Sequence, residues 1–354
     1  MSLYTPFSNY LEMNQEYREV VADEEPSFWR AREQEYRRYR QQWNLAQSDP
    51  TYTPAIPLCV TIDASSLCNL RCLGCHQSIP GAITDAGRLA LGDAMNIINQ
   101  CAEIGVPSIS FAWKGEPSLN KDLPAMVAHC RSKNILEIRT VTNALSPHPG
   151  IYQALCEAGL HRLIISVDGH SKESFETYRR GSDWAQLNAN IDGILEWKTH
   201  NRSHFPLIRI QCVRNKYNQH EINDFLEYWE NQLGVNDVRI SDVMNRTGVG
   251  AESEFSVGDQ VTCGRKPCAQ PRQRLVFSDK ADKAFGCCHA WDGSFPVGDI
   301  KKQSLLDIWN GPAIKKLRQA LISDKHDSIP MCKYGRCAAK ETYVFKRLIS
   351  PATK

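Results

Sequence analysis

Six short runs rich in β-branched residues recur along residues 56–244: IPLCVTI (56–62), PSISFAW (107–113), EIRTVTN (137–143), RLIISVD (162–168), LIRIQCV (207–213) and DVRISD (237–242). Between them lie stretches of helical periodicity. One is LGDAMNIINQCAEIG (91–105), which sets Leu91, Met95, Ile98 and Ala102 on one face. Strands alternating with helices predict βαβ units and a parallel sheet. Six units are too few for a closed eight-fold barrel. The reading is therefore α/β, an open, partial (βα)6 TIM-like barrel with function at the carboxyl ends of its strands. A doubly wound sheet is the competing architecture, and spacing alone leaves it open.

The flanks break this rhythm. Residues 1–55 are polar and lack strand signals, and within them SFWRAREQEYRRYRQQW (27–43) spaces Trp29, Tyr36 and Trp43 seven apart on one helical face. A helical extension packing that stripe on the main domain is expected there. After Asp242, RLVF (274–277) and KAFGCC (283–288) read as a hairpin turning at DKADK, and SLLDIWNGPAIKKLRQAL (304–321) reads as an amphipathic helix. Three segments follow: an N-terminal helical extension over 1–55, the barrel over 56–245, and a small hairpin-plus-helix domain over 246–354.

Composition narrows the class. Hydrophobic content of 42% and charged content of 23% suit an ordinary globular protein, and a formal net charge of +2 argues against a general nucleic-acid binder. The first residues carry acids and no apolar core, unlike a secretory signal, and no run approaches the roughly 18 apolar residues of a membrane span. A cytoplasmic location with no membrane partner is the expectation. In a reducing compartment the 14 cysteines are better explained as metal ligands, reactive thiols or buried hydrophobes than as disulfides. Cys59, Cys101, Cys130, Cys156 and Cys212 stand singly in apolar surroundings and read as core. Cys68, Cys72 and Cys75 form one group, and Cys263, Cys268, Cys287, Cys288, Cys332 and Cys337 another.

The polar residues collect at the strand ends. Strand one runs into CNLRCLGC (68–75), strand two into KGEP (114–117), strand three ends at Asn143, and strand four in SVDG (166–169); strands five and six lead to Arg214 and Asp242. Three thiols at spacings of four and three suit a metal centre with one position left open. Four thiolates hold a 4Fe–4S cluster, and three can hold it with one iron free for an outside ligand. A zinc site completed by His76 is the plainer alternative, but His76 abuts Cys75, too close in sequence to serve easily as a fourth tetrahedral ligand.

Cys68-x3-Cys72-x2-Cys75 on the loop after the first strand resembles the signature of the radical S-adenosylmethionine (SAM) superfamily, over about residues 56–245. GEP (115–117) is similar to the motif that meets the methionine amino group, and TNA (142–144) and SVDG to later strand-end motifs around SAM. The resemblance implies that SAM chelates the open iron and is cleaved to a 5′-deoxyadenosyl radical that abstracts a substrate hydrogen. It implies Gly115, Glu116, Asn143, Ser166 and Asp168 as cofactor-binding residues, and an electron donor such as flavodoxin or ferredoxin. Two departures stand out: Gly74 precedes the third cysteine where an aromatic is common, and Lys114 replaces a glycine, leaving it to face substrate.

The C-terminal unit resembles the SPASM or shorter twitch extension of such enzymes, with GDI, SLLDIWNG and the closing cysteine pair as landmarks. That resemblance implies one auxiliary 4Fe–4S cluster, for which Cys268, Cys287, Cys332 and Cys337, at separations of 19, 45 and 5, supply a complete set. A zinc ribbon-like structural site is the alternative. Asp282 stands where glycine is usual, and four residues rather than two separate Cys332 from Cys337. Cys263 and Cys288 remain as candidate hydrogen donors to a substrate radical. The expected function is a radical SAM oxidoreductase on a small polar substrate (a sugar, aminocyclitol or nucleotide-linked sugar), giving dehydrogenation or epimerisation. A maturase of a ribosomal peptide or protein, and a non-enzymatic iron–sulfur scaffold, are the competing readings.

Overall fold

The computed structural model describes residues 28–83, 85–243, 255, 257, 268–333 and 343–345. All six expected strands form: β1 (Cys59–Ile62), β2 (Ser108–Phe111), β3 (Glu137–Thr142), β4 (Arg162–Ser166), β5 (Leu207–Arg214) and β6 (Val235–Asp242). They lie side by side in chain order, each parallel to the next. A doubly wound sheet reverses its strand order at a switch point, and here no reversal occurs. The sheet is open, so the architecture is the partial barrel.

β7 (Arg274–Phe277) extends that sheet by pairing parallel with β1, and β8 (Ala284–Phe285) returns antiparallel on β7. At the opposite edge β9 (Tyr343–Phe345) pairs antiparallel with β6, giving nine strands among the described residues. The expected hairpin therefore forms, but its first strand also belongs to the barrel sheet. The turn between β7 and β8 accommodates Asp282 because Ala281 is the residue with positive φ, at 51°, while Asp282 accepts the Ser278 hydroxyl at 2.8 Å.

Helix α1 (Phe28–Ser48) packs Tyr36, Tyr39 and Trp43 against Leu58 and Leu136 at the amino ends of the strands. Trp29 falls in the helix but among side chains outside the description. Helix α2 (Leu91–Ile104) buries Ala94, Ile97, Ile98 and Cys101, a face rotated from the expected one that leaves Met95 at its margin. The five singly placed cysteines are all buried, as their surroundings suggested. The chain continues through α3 (Leu123–Ser132), α4 (Ile151–Glu157), α5 (Lys172–Tyr178), α6 (Trp184–His200), α7 (Ile222–Glu230) and the short α8 (Gln270–Gln273). The expected C-terminal helix is two, α9 (Leu305–Asn310) and α10 (Pro312–Ile322), followed by α11 (Pro330–Lys333). Pro312 lacks the N–H that a continuous helix needs and opens the second helix instead.

These C-terminal elements are fastened to the chain entering β1. Trp309, wholly buried, donates Nε1–H to the Pro54 carbonyl at 2.9 Å, and the Arg318 guanidinium lies 4.1 Å from its ring centroid. Buried Arg272 donates to the Ala46 carbonyl, and Gln273 to that of Trp43. Trp309→Ala should lower unfolding free energy by roughly 3–5 kcal/mol through the cavity it leaves. Trp309→Phe should cost about 1–3 kcal/mol by stranding the Pro54 carbonyl. Denaturant unfolding in which Trp309→Ala costs under about 1 kcal/mol would show that this side chain does not tie the C-terminal elements to the barrel.

Candidate active site

The loop after β1 carries Cys68, Cys72 and Cys75, all half-buried and none in a disulfide. Its backbone is anchored on two sides. Arg71 and Leu73 donate N–H groups to the carbonyls of Arg180 and Tyr178, at 2.8 and 2.9 Å. On the other side Gly115 presses onto it: a Cβ at Gly115 would lie 2.2 Å from the Leu67 carbonyl oxygen and 2.5 Å from that of Ser65. Only glycine permits that approach. The next residue, Glu116, then donates its N–H to the Leu67 carbonyl at 2.8 Å.

Gly74 has an equally local cause. A Cβ there would stand 2.3 Å from the Tyr178 hydroxyl, so the phenol of Tyr178 covers the place where a side chain at 74 would project. His76 reaches across to the Lys114 carbonyl at 3.2 Å and stacks on Trp291, with ring centroids 5.0 Å apart. The first half of the loop is thereby joined to β2 and to the segment after β8.

Glu116 is buried, and its carboxylate is fully engaged. It accepts the Thr142 hydroxyl at 2.6 Å, the Asn143 N–H at 2.7 Å and the Ser118 N–H at 3.1 Å. Burial raises its pKa above the ordinary carboxylate range despite these donors. Asn143 in turn donates Nδ2–H to Asn69 at 2.9 Å, one residue from Cys68. Asp168 accepts Nε–H and Nη2–H of Arg179, both at 2.8 Å, and the Val213 N–H at 2.7 Å. Gly169 lets that strand end sit against α5, since a Cβ would be 2.4 Å from the Ser174 hydroxyl. The polar groups of Glu116, Asn143 and Asp168 thus brace the loop and the strand ends beside it. Ser166 is half-buried, and its hydroxyl makes no hydrogen bond with any described residue.

Burial pushes the Cys68 thiol up to about 11 and that of Cys72 up to about 12; Cys75 raises both, while Arg179 pulls both down. The thiols therefore influence one another across a shared space that also holds a guanidinium. A metal centre inverts this balance, because coordinated thiols are deprotonated outright. Among the described residues, no three His, Cys, Asp or Glu side chains converge as a single ion would require. A four-iron cluster places each thiolate on a separate iron, and the chemistry of this donor set fits it.

In the second group, Cys287 is buried and its sulfur accepts the His289 N–H at 3.3 Å, while Cys268 and Cys332 pack half-buried against the same core. Burial raises the Cys268 thiol, and Cys288 pushes it the same way. Cys288 is half-buried, and its carbonyl accepts the Trp113 indole N–H at 2.7 Å. Cys263 and Cys337 lie outside the described residues. Arg214 and Asp242, at the ends of β5 and β6, pair with each other at 2.7 Å. Arg179, Asn69 and Tyr178 were not legible as site residues; a YRRG stretch ending at Gly181, whose φ is 89°, is the one local sign of a turn there.

Residues 63–200 match the radical SAM superfamily, and residues 268–338 match the iron–sulfur cluster-binding SPASM domain. The chain is 31% identical over 173 residues to a GTP 3′,8-cyclase of Limosilactobacillus fermentum, covering 48% of this chain and 49% of that one. It is 28% identical over 196 residues to a probable GTP 3′,8-cyclase of Metallosphaera sedula, covering 55% of this chain and 58% of that one. The chain therefore spans about half the length of the curated relatives it matches. Its fold is similar to Streptococcus suis SuiB bound to S-adenosylmethionine, with TM-score 0.60, 16% identity and coverage of 88% and 78%. BtrN in complex with AdoMet and 2-DOIA gives TM-score 0.51 at 16% identity, covering 78% of this chain and 92% of that one. The chain thus carries a radical SAM domain over residues 63–200 and, after it, an iron–sulfur cluster-binding SPASM domain over residues 268–338, which imply SAM with a 4Fe–4S cluster and an auxiliary iron–sulfur cluster.

Proposed function

We propose that this enzyme removes a hydrogen atom from a small polar substrate and releases an oxidised product. The observation that carries the reading is the Cys68–Cys72–Cys75 loop, clamped between Gly115 and the 178–180 backbone at the polar carboxyl end of the sheet. Bound together there, the cluster and SAM supply the organic radical that takes the hydrogen. Cys68, Cys72 and Cys75 would hold the first cluster, Gly115 and Ser166 would contribute to the SAM site, and Glu116, Asn143 and Asp168 fix the loop. Cys268, Cys287, Cys332 and Cys337 would hold the auxiliary cluster, a group that could supply an acceptor for the second electron of an oxidation. A small flavodoxin- or ferredoxin-like protein donates the first electron. The domain division at about 55 and 245 belongs to the same reading, with β7 as the element shared between barrel and SPASM unit.

The relatives named GTP 3′,8-cyclase support a small, polar substrate over a peptide. Among the described residues no helix is long and apolar enough to cross a membrane. Epimerisation is the second reading, favoured by one observation: the Trp113 indole, just beyond β2, donates to the Cys288 carbonyl and so holds this candidate hydrogen donor beside the strand end.

Anaerobically reconstituted protein should cleave SAM to 5′-deoxyadenosine with reductant, and Cys72→Ala should abolish that cleavage by removing a cluster thiolate. Undiminished cleavage in Cys72→Ala contradicts the assignment. Gly115→Ala should cost roughly 1–3 kcal/mol, as an overpacked site does, and release iron from the loop. Wild-type iron content in that variant would mean that the close approach of Gly115 does not hold the loop. Cys288→Ala separates the two chemistries: retained turnover supports oxidation, and loss of product with SAM cleavage intact supports epimerisation.

A further inference from the structure

The carboxyl ends of β7, β1 and β2 are adjacent and level, with Ile62 in register with both Phe277 and Phe111. The residues just beyond bring three ionisable side chains together: Asp63, Lys114 and Asp279. Lys114 Nζ lies 4.0 Å from Asp63 Oδ2 and 4.0 Å from Asp279 Oδ1, and 4.5 Å from the centroid of the Trp113 ring. Both ion pairs exceed hydrogen-bond length, and all three side chains are largely buried.

The two carboxylates differ. Asp63 is held by the Ser66 hydroxyl at 2.5 Å and by the Lys114 N–H at 3.4 Å. Asp279 has a buried Oδ2 with no hydrogen-bond partner, on a side chain only 3% exposed. Gly87 lies close to that oxygen, since a Cβ there would be 3.0 Å from it. At the outer rim Asp85 is paired with Lys280. Burial lifts Asp63 to about 6, Asp279 pushes it the same way, and Ser66 and Lys114 oppose the shift.

A buried carboxylate oxygen without a donor is costly, as is an ammonium beyond hydrogen-bond reach of either neighbour. A hydroxyl group meets both needs at once: its O–H donates to Asp279, and its oxygen accepts from Lys114. A phosphate or carboxylate would meet two carboxylates, and a metal cation would meet the ammonium. We propose that Asp63, Lys114 and Asp279 form the subsite for a hydroxyl-bearing carbon of a polyol-like substrate, with Asp279 Oδ2 accepting the hydroxyl proton. The position fits, because Lys114 immediately precedes Gly115 on the loop-clamping turn while Asp279 lies on the hairpin leading to Cys287.

This inference deepens the reading of a small polar substrate and rests on it. The step is a proton transfer alone. The substrate O–H bond breaks, the proton bonds to Asp279 Oδ2, and the negative charge passes from the carboxylate to the substrate oxygen beside Lys114. A hydroxyl on a carbon that has lost a hydrogen atom is far more acidic than an ordinary alcohol, which makes a carboxylate a sufficient base.

The test uses SAM-bound holoenzyme and two probes, myo-inositol and D-glucose, in equilibrium dialysis. At least one should bind the wild type. Asp279→Asn and Lys114→Met should each weaken that binding by about tenfold or more, the size of one lost charge-assisted hydrogen bond. Lys280→Ala, on the exposed rim, should leave it unchanged, and iron content reports that the variants are folded. Infrared difference spectra on probe binding should show a carboxylate shift that Asp279→Asn removes. The subsite is wrong if neither probe binds while SAM does, if both variants bind like wild type, or if no carboxylate shift accompanies binding. Failure of the wild type to bind SAM would instead overturn the radical SAM reading of the loop.

Discussion

The approach of Gly115 to the backbone of residues 65–67 is the contact on which the rest of the site depends. It brings the end of β2 within a side chain's width of the cysteine loop, so that the Glu116 N–H can pin the Leu67 carbonyl one residue before Cys68. Loops at the carboxyl ends of barrel strands are free to vary, and catalysis needs at least one of them held still. Here the holding is done backbone to backbone, without drawing on the three thiols.

A second layer of polar contacts makes that arrangement rigid. Glu116 spends its carboxylate on Thr142, Asn143 and Ser118, Asn143 reaches Asn69, and Asp168 secures Arg179 near Cys72. Each is a buried charge or amide with its partners supplied, the condition under which buried polar groups stabilise rather than cost. The same rim contains a buried acid that is less well satisfied. Asp279 keeps a buried Oδ2 without a hydrogen-bond partner while its Oδ1 lies 4.0 Å from Lys114, the observation behind the proposed hydroxyl subsite.

The barrel was legible because its strands are buried, β-branched runs of the right length, and no other local pattern competes with them. The cysteine loop was legible because three thiols in eight residues have few other uses. What stayed hidden was non-local. RLVF reads as a hairpin strand whether or not it also pairs with β1, since nothing in four residues encodes a partner more than 200 positions away. The contacts of Glu116 with Thr142 and the Asn143 N–H likewise join residues 26 and 27 positions apart, which no local pattern announces. Asp63 and Asp279, each a single acid after an apolar run, look like ordinary turn residues until the register of β7, β1 and β2 sets them side by side. The continuous C-terminal helix was a misreading of amphipathic period across Gly311–Pro312, where the proline's missing N–H governs.

Electron paramagnetic resonance and iron analysis of the reduced protein, with the three loop cysteines intact and with all three replaced by alanine, test the central claim most directly. The intact protein should carry about eight irons, four in each cluster, and its spectrum should change when SAM is added. The triple variant should keep about four irons on the SPASM cysteines, with a spectrum indifferent to SAM, because a fully ligated cluster offers no open iron. Retention of about eight irons, or a SAM response that survives the triple replacement, would contradict the assignment of Cys68, Cys72 and Cys75 as the SAM-binding cluster site.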